Sequence, residues 1–174
     1  MRFVVTGEWT RNHLLKVIVW CFLAYTLILW LTNAGLYFSK MGLTPGSVVD
    51  YYRGNEERFL QPRSVQGLIE VLHFHSFAMG LLLLTLTHLV LFVPISTRAK
   101  TCGIATAFIS GLAGELSGWG VRFLHPGFAY LKIGFFVTLE GVIFWLMLLV
   151  ARALLFEMSS TYVQNNSEPS KPVT

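Results

Sequence analysis

The chain has 174 residues, 54% of them hydrophobic and only 13% charged, with mean hydropathy +0.60, net charge +4 and a pI near 9.3. So little polar surface excludes an ordinary soluble domain of this size and places the chain in a membrane. The basic residues are scattered singly, which excludes a nucleic-acid surface, and an anionic inner leaflet suffices to match the excess charge.

Four apolar stretches, residues 14–38, 67–95, 102–123 and 128–156, are long enough at 1.5 Å per residue to cross about 30 Å of hydrocarbon. They predict an all-α fold, one four-transmembrane-helix bundle over residues 1–158 followed by a disordered tail over 159–174 that is rich in Ser, Asn and Pro. The first stretch is too long for a signal-peptide core and has no small-x-small cleavage site after it, so it is expected to stay as an anchor. Between the first two spans, Thr44-Pro45 reads as a helix start, Val48, Val49, Tyr51 and Tyr52 as an amphipathic run, and Gly54 as its end. This predicts a short interfacial helix in the outer 1–2 loop, serving as a lid over the bundle or as a docking face.

The basic residues set the topology. With the N-terminus inside, Arg2, Arg11, Lys16, Arg98, Lys100, Arg152 and Lys171 fall inside, against Lys40, Arg53, Arg58, Arg63, Arg122 and Lys132 outside. The short 2–3 connection carries two of the inner ones, while Asp50, Glu56 and Glu57 offset the outer 39–66 loop. The expectation is a multi-pass cell inner-membrane protein with both termini inside. Trp9, Trp119 and Tyr130 fall near span ends, where amphipathic rings suit the headgroups. Cys21 and Cys102 are read as reduced packing residues. The Asn165-Asn166-Ser167 sequon lies on an inner tail that glycosylation machinery would not meet.

The second span holds three imidazoles, His73, His75 and His88, in an otherwise apolar run. Ionisable groups there are costly and functional by default. At about 100° per residue His73 and His88 leave the same helix face, about 22 Å apart along the axis, and Glu70 shares that face. His75 lies about 200° from His73, on the far side. In the third span Ala107, Gly111, Gly114 and Gly118 recur every three or four residues and leave one face nearly bare. Either a partner helix or a flat macrocycle approaches it, and Gly80, between His73 and His88, fits both. Glu115 and Glu140 lie deep in the third and fourth spans, at depths overlapping His73 and His75. Such carboxylates need a histidine, a hydroxyl, Arg122, a metal or a proton.

Two imidazoles 13 to 15 residues apart on one helix resemble the spacing by which membrane b-type cytochromes hold two haems, a resemblance confined to residues 73–88. It implies one or two haem b groups ligated by His73 and His88, with His75 as the alternative. That family takes each second axial ligand from another helix, and here the remaining histidines are His125, on the side of His73, and His13, on the side of His88. Bis-imidazole ligation leaves no open iron position and favours electron transfer. Thr85, Glu115 and Glu140 are available to orient the ligating rings. The absence of Cys-x-x-Cys-His excludes covalent c-type attachment.

The leading expectation is therefore a haem-bearing electron carrier or subunit linking a quinone pool to an outer-side cytochrome, with no bond-making chemistry of its own. A second is a non-catalytic subunit that anchors other membrane subunits of a respiratory or transport complex. The third is a di-metal oxidoreductase built on Glu70, His73, Glu115 and Glu140, of which the chain offers one Glu-x-x-His step where two are usual.

Overall fold

The computed structural model describes residues 13–167, with side chains through residue 155. Helix α1 spans His13–Lys40, α2 Pro45–Arg53, α3 Val65–Val90, α4 Thr97–Trp119 and α5 Phe128–Ser167, and a π turn, Gly120–Leu124, closes α4. Trp9, the basic residues Arg2, Arg11 and Lys171, and positions 168–174 of the expected tail lie outside the described residues. The backbone of α5 is helical through Ser167, into the stretch expected as tail.

The fold is all-helical among the described residues, and three helices are long and apolar enough to cross a membrane: α1, α3 and the Phe128–Leu155 part of α5. The fourth long helix, α4, has 23 residues and so reaches about 34 Å, yet its Gly, Ser, Thr and Glu115 dilute its apolar content. Those same residues explain its place. Its buried positions are Gly103, Ala107, Ser110, Gly114 and Ser117, at three- and four-residue steps, with Gly118 beside the last, and its contact with α5 is the most extensive among the described residues. Small side chains let two helix backbones approach where lipid offers no hydrophobic drive. The hydroxyls of Ser110 and Ser117 donate to the Thr106 and Ala113 carbonyls at 2.6 Å each, so neither polar atom is stranded.

Two apolar clusters stack along the bundle. The one remote from α2 contains Leu86, Ile143, Leu146, Val150 and Leu154, each essentially inaccessible. The other lies under α2 and contains Tyr37, Val48, Tyr52, Leu68 and Val121. Between them runs a layer of polar side chains, described below.

Local signals set the ends of the elements. Thr44 caps α2, accepting from the Ser47 N–H at 3.4 Å with Pro45 in the first turn, as the sequence predicts. Gly54 ends it at φ 81°, where a Cβ would stand 2.5 Å from the Leu60 carbonyl oxygen, so only glycine fits. Ser64 and Ser96 cap α3 and α4 in the same manner, from Gly67 and Ala99. The loop after α2 is strapped to the end of α4 in both directions: Arg53 Nε donates to the Val121 carbonyl at 2.5 Å, and Arg122 Nε to the Arg63 carbonyl at 3.0 Å. Cys21 and Cys102 are unpaired thiols on the exposed surface, which corrects the expectation that they pack inside.

Candidate functional site

Helix α3 sends its histidines opposite ways. His75 turns into the bundle at the level of the polar layer, and there it meets Glu115 of α4, whose Oε1 lies 3.9 Å from His75 Nε2. The same oxygen is 3.3 Å from Nζ of Lys132, in the second turn of α5, and Lys132 is only 7% exposed. One carboxylate therefore stands between two bases, hydrogen-bonded to the lysine and in electrostatic contact with the imidazole. A buried cation needs such a partner, since an isolated charge in an apolar interior is expensive.

These groups line a cleft of about 470 Å³ at the α2 end of the bundle. Asn33 and Tyr37 of α1, Tyr52 of α2, His75, Glu115 and Lys132 are among its polar residues, with Lys40 and Glu70 also in the lining, while Phe74, Phe135 and Phe136 supply flat apolar walls. Tyr37 and Phe136 stack with centroids 3.7 Å apart, fixing one side. Burial raises the Tyr52 hydroxyl above its ordinary pKa of 10.0; the Glu115 carboxylate and Tyr51 push the same way, and Arg63 opposes them. The phenol thus stays a neutral donor. Because the unfolded chain releases this proton first, stability should fall as pH rises beyond about 10. In thermal unfolding against pH, Tyr52→Phe should flatten that alkaline decline.

Glu140 belongs to a different junction. Asn33 Nδ2 donates to its Oε1 at 2.6 Å, and Trp30 Nε1 to its backbone carbonyl at 3.0 Å, so both contacts tie α1 to α5. Its second oxygen is buried with no partner among the described residues.

The remaining predicted residues are dispersed. His73 and His88 are exposed on the outside of α3, each against a neighbouring ring, Phe74 and Phe92. Glu70 is exposed at the cleft rim and accepts from Gln66 at 2.9 Å. His13 is exposed at the start of α1. His125 is exposed after the π turn, where its Nδ1 accepts from the Gly127 N–H at 2.9 Å. Thr85 bonds back to the Leu81 carbonyl and orients no imidazole. Glu70, His73, Glu115 and Glu140 do not converge on one point, and among the described residues no three His, Cys, Asp or Glu side chains are placed to hold a metal ion. The glycine face of α4 is partly covered by protein, since a Cβ on Gly111 would meet Leu83 and Leu139, on Gly114 Phe135, and on Gly118 Tyr52, while Gly111 and Gly114 also line the cleft. Gly80 faces open space.

Residues 42–161 match the family model of the Aq_1264_TM transmembrane helical domain. The chain belongs to that family. No curated protein and no solved structure matches it. The Aq_1264_TM match takes in α2, α3, α4 and most of α5 and begins after α1. His75, Glu115 and Lys132 thus fall inside the family domain, whereas Asn33 and Tyr37, which complete the cleft, come from the preceding helix.

Lys132 is the cleft residue that the sequence reading misplaced. Counted there among the outer-loop charges, it sits four residues into the fourth apolar stretch, and a cation at that position, facing a glutamate on the neighbouring span, was the available signal. Tyr52 and Asn33 carried no comparable mark.

Proposed function

We propose that this Aq_1264_TM domain is a redox membrane subunit, its four long helices all crossing an inner membrane with both termini inside, and that the cleft holds the headgroup of a quinone drawn from the bilayer. The observation that carries the reading is the Lys132–Glu115–His75 cluster beneath a neutral tyrosine in an aromatic-walled cleft. A quinone ring is flat, apolar on its faces and accepting at two carbonyl oxygens. His75 Nε2 and Lys132 Nζ supply N–H donors for those oxygens, and Phe74 and Phe135 flank the ring. Converting quinone to quinol takes up two electrons and two protons. The electrons come from, or leave to, a redox partner at the membrane surface, and Glu115 sits where a ring oxygen would gain or lose a proton.

The test is quenching of intrinsic tryptophan fluorescence by a short-chain ubiquinone in detergent. His75→Ala should weaken binding about tenfold, the cost of one lost hydrogen bond, and His73→Ala should leave it unchanged. Equal binding by wild type and His75→Ala would remove the reading and favour an anchoring subunit whose buried charges are structural.

Haem b ligation remains a second reading, supported by one observation. His73 and His88 are both exposed along the outside of α3 with no hydrogen-bond partner among the described residues, so a haem held there would lie against a second chain that supplies the other ligands. A Soret band in the purified protein, lost in part on His88→Ala, is the expected result; a colourless preparation with no iron contradicts it.

A further inference from the structure

Next to the cleft, on the surface at the α2 end, a second hollow of about 390 Å³ lies between the last turn of α1, helix α2 and the 58–63 segment. Three cations line it: Lys40, Arg58 and Arg63. Against them stands one carboxylate, Asp50, already engaged by the Asn55 amide at 3.0 Å and by Arg58 at 3.3 Å. Lys40 and Arg63 have no carboxylate partner among the described residues. Arg63 is held in place all the same. Its guanidinium lies 4.1 Å over the Tyr51 ring, its N–H donates to the Tyr52 carbonyl at 3.1 Å, and its carbonyl accepts from Arg122. The Gln61 side chain, also in the wall, makes no hydrogen bond among the described residues.

The surroundings are apolar. Phe38 and Leu60 line the hollow and are exposed, and Phe59, at the tip of the loop closed by the Asn55–Leu60 bridge, is 91% exposed. Lys40 is the final residue of an apolar helix long enough to cross the membrane, which sets the hollow at headgroup depth. A soluble anion would use the cations and leave these rings unexplained. An amphiphile uses both.

We propose that this hollow is a binding site for the phosphate of an acidic phospholipid, gripped by Lys40 and Arg63 with the Gln61 amide as a further donor. Its acyl chains lie along α1 past Phe38. Arg58 stays on Asp50 and closes the far side. Lys40, Met41 and Tyr51 line both this hollow and the neighbouring cleft, but the phosphate contacts assigned here do not require a quinone in that cleft.

Native mass spectrometry of the full chain, released from micelles containing phosphatidylglycerol and phosphatidylcholine of matched acyl chains, tests it. Wild type should retain one phosphatidylglycerol in preference to phosphatidylcholine. Each basic group removed near a surface is worth roughly fivefold, so Lys40→Gln with Arg63→Gln should cut the preference about thirtyfold. Arg98→Gln, at the opposite end of the bundle, should leave it intact. Circular dichroism checks that the double variant keeps its helix content; if it does not, Lys40→Gln alone, at an exposed position, should still show a loss of about fivefold. Equal retention of both lipids by wild type overturns the proposal, as does a folded variant that keeps the preference. Displacement of the lipid by inorganic phosphate at millimolar concentration overturns the lipid source and assigns the hollow to a soluble anion.

Discussion

Glu115→Leu should destabilise the bundle by about 3–5 kcal/mol, the usual cost of stranding one member of a buried ion pair. The substitution puts an apolar side chain of similar bulk in α4 and takes from Lys132 the oxygen 3.3 Å from its ammonium. At 7% exposure Lys132 has little water to turn to. Adding Lys132→Met should return most of the loss, because replacing both charges by packed apolar groups is commonly neutral or better. Thermal unfolding in detergent, followed by circular dichroism, measures both. A double variant no more stable than the single one would show that the lysine is not the stranded group.

Gly118→Ala should cost about 1–3 kcal/mol by overpacking. The added methyl would stand 2.5 Å from Tyr52 Oη, 2.7 Å from its Cζ and 2.9 Å from its Cε1. Those are atoms of a rigid, buried ring, so relief requires α2 to lift from the end of α4. Gly80→Ala should act in the opposite direction. Nothing lies within 4 Å of its new methyl, and alanine is the better helix former by up to about 1 kcal/mol. Melting temperatures that moved the same way for both variants would contradict this account.

The two glycines also show how far the sequence could be read. A three- and four-residue rhythm of small residues in α4 states that something approaches closely, and α2, α3 and α5 do so. It does not state what: the Tyr52 ring, the Leu83 and Leu139 methyls and Phe135 lie against it, and Gly111 and Gly114 also line the cleft. The α2 helix was legible because Thr44, Pro45 and Gly54 each dictate a local backbone state regardless of tertiary context. For α3 the limit was rotational. Helical periodicity fixes that His73 and His75 point apart, but which of them turns inward depends on the neighbours that cover the helix. The inward one proved to be His75, because the α4 face bearing Glu115 lies on that side. Lys132 was hidden by a boundary, lying near enough to the start of the last span to pass for a loop charge.

The paired guanidinium straps, Arg53 on the Val121 carbonyl and Arg122 on the Arg63 carbonyl, have a consequence for traffic. They tie the roof over the polar chamber to the end of the helix that forms its back wall, so lifting the roof breaks both contacts. A ligand drawn from the bilayer, as proposed for the cleft, would then reach Glu115 between the long helices, while water and protons have the hollow under residues 61–64, which Glu115 also lines.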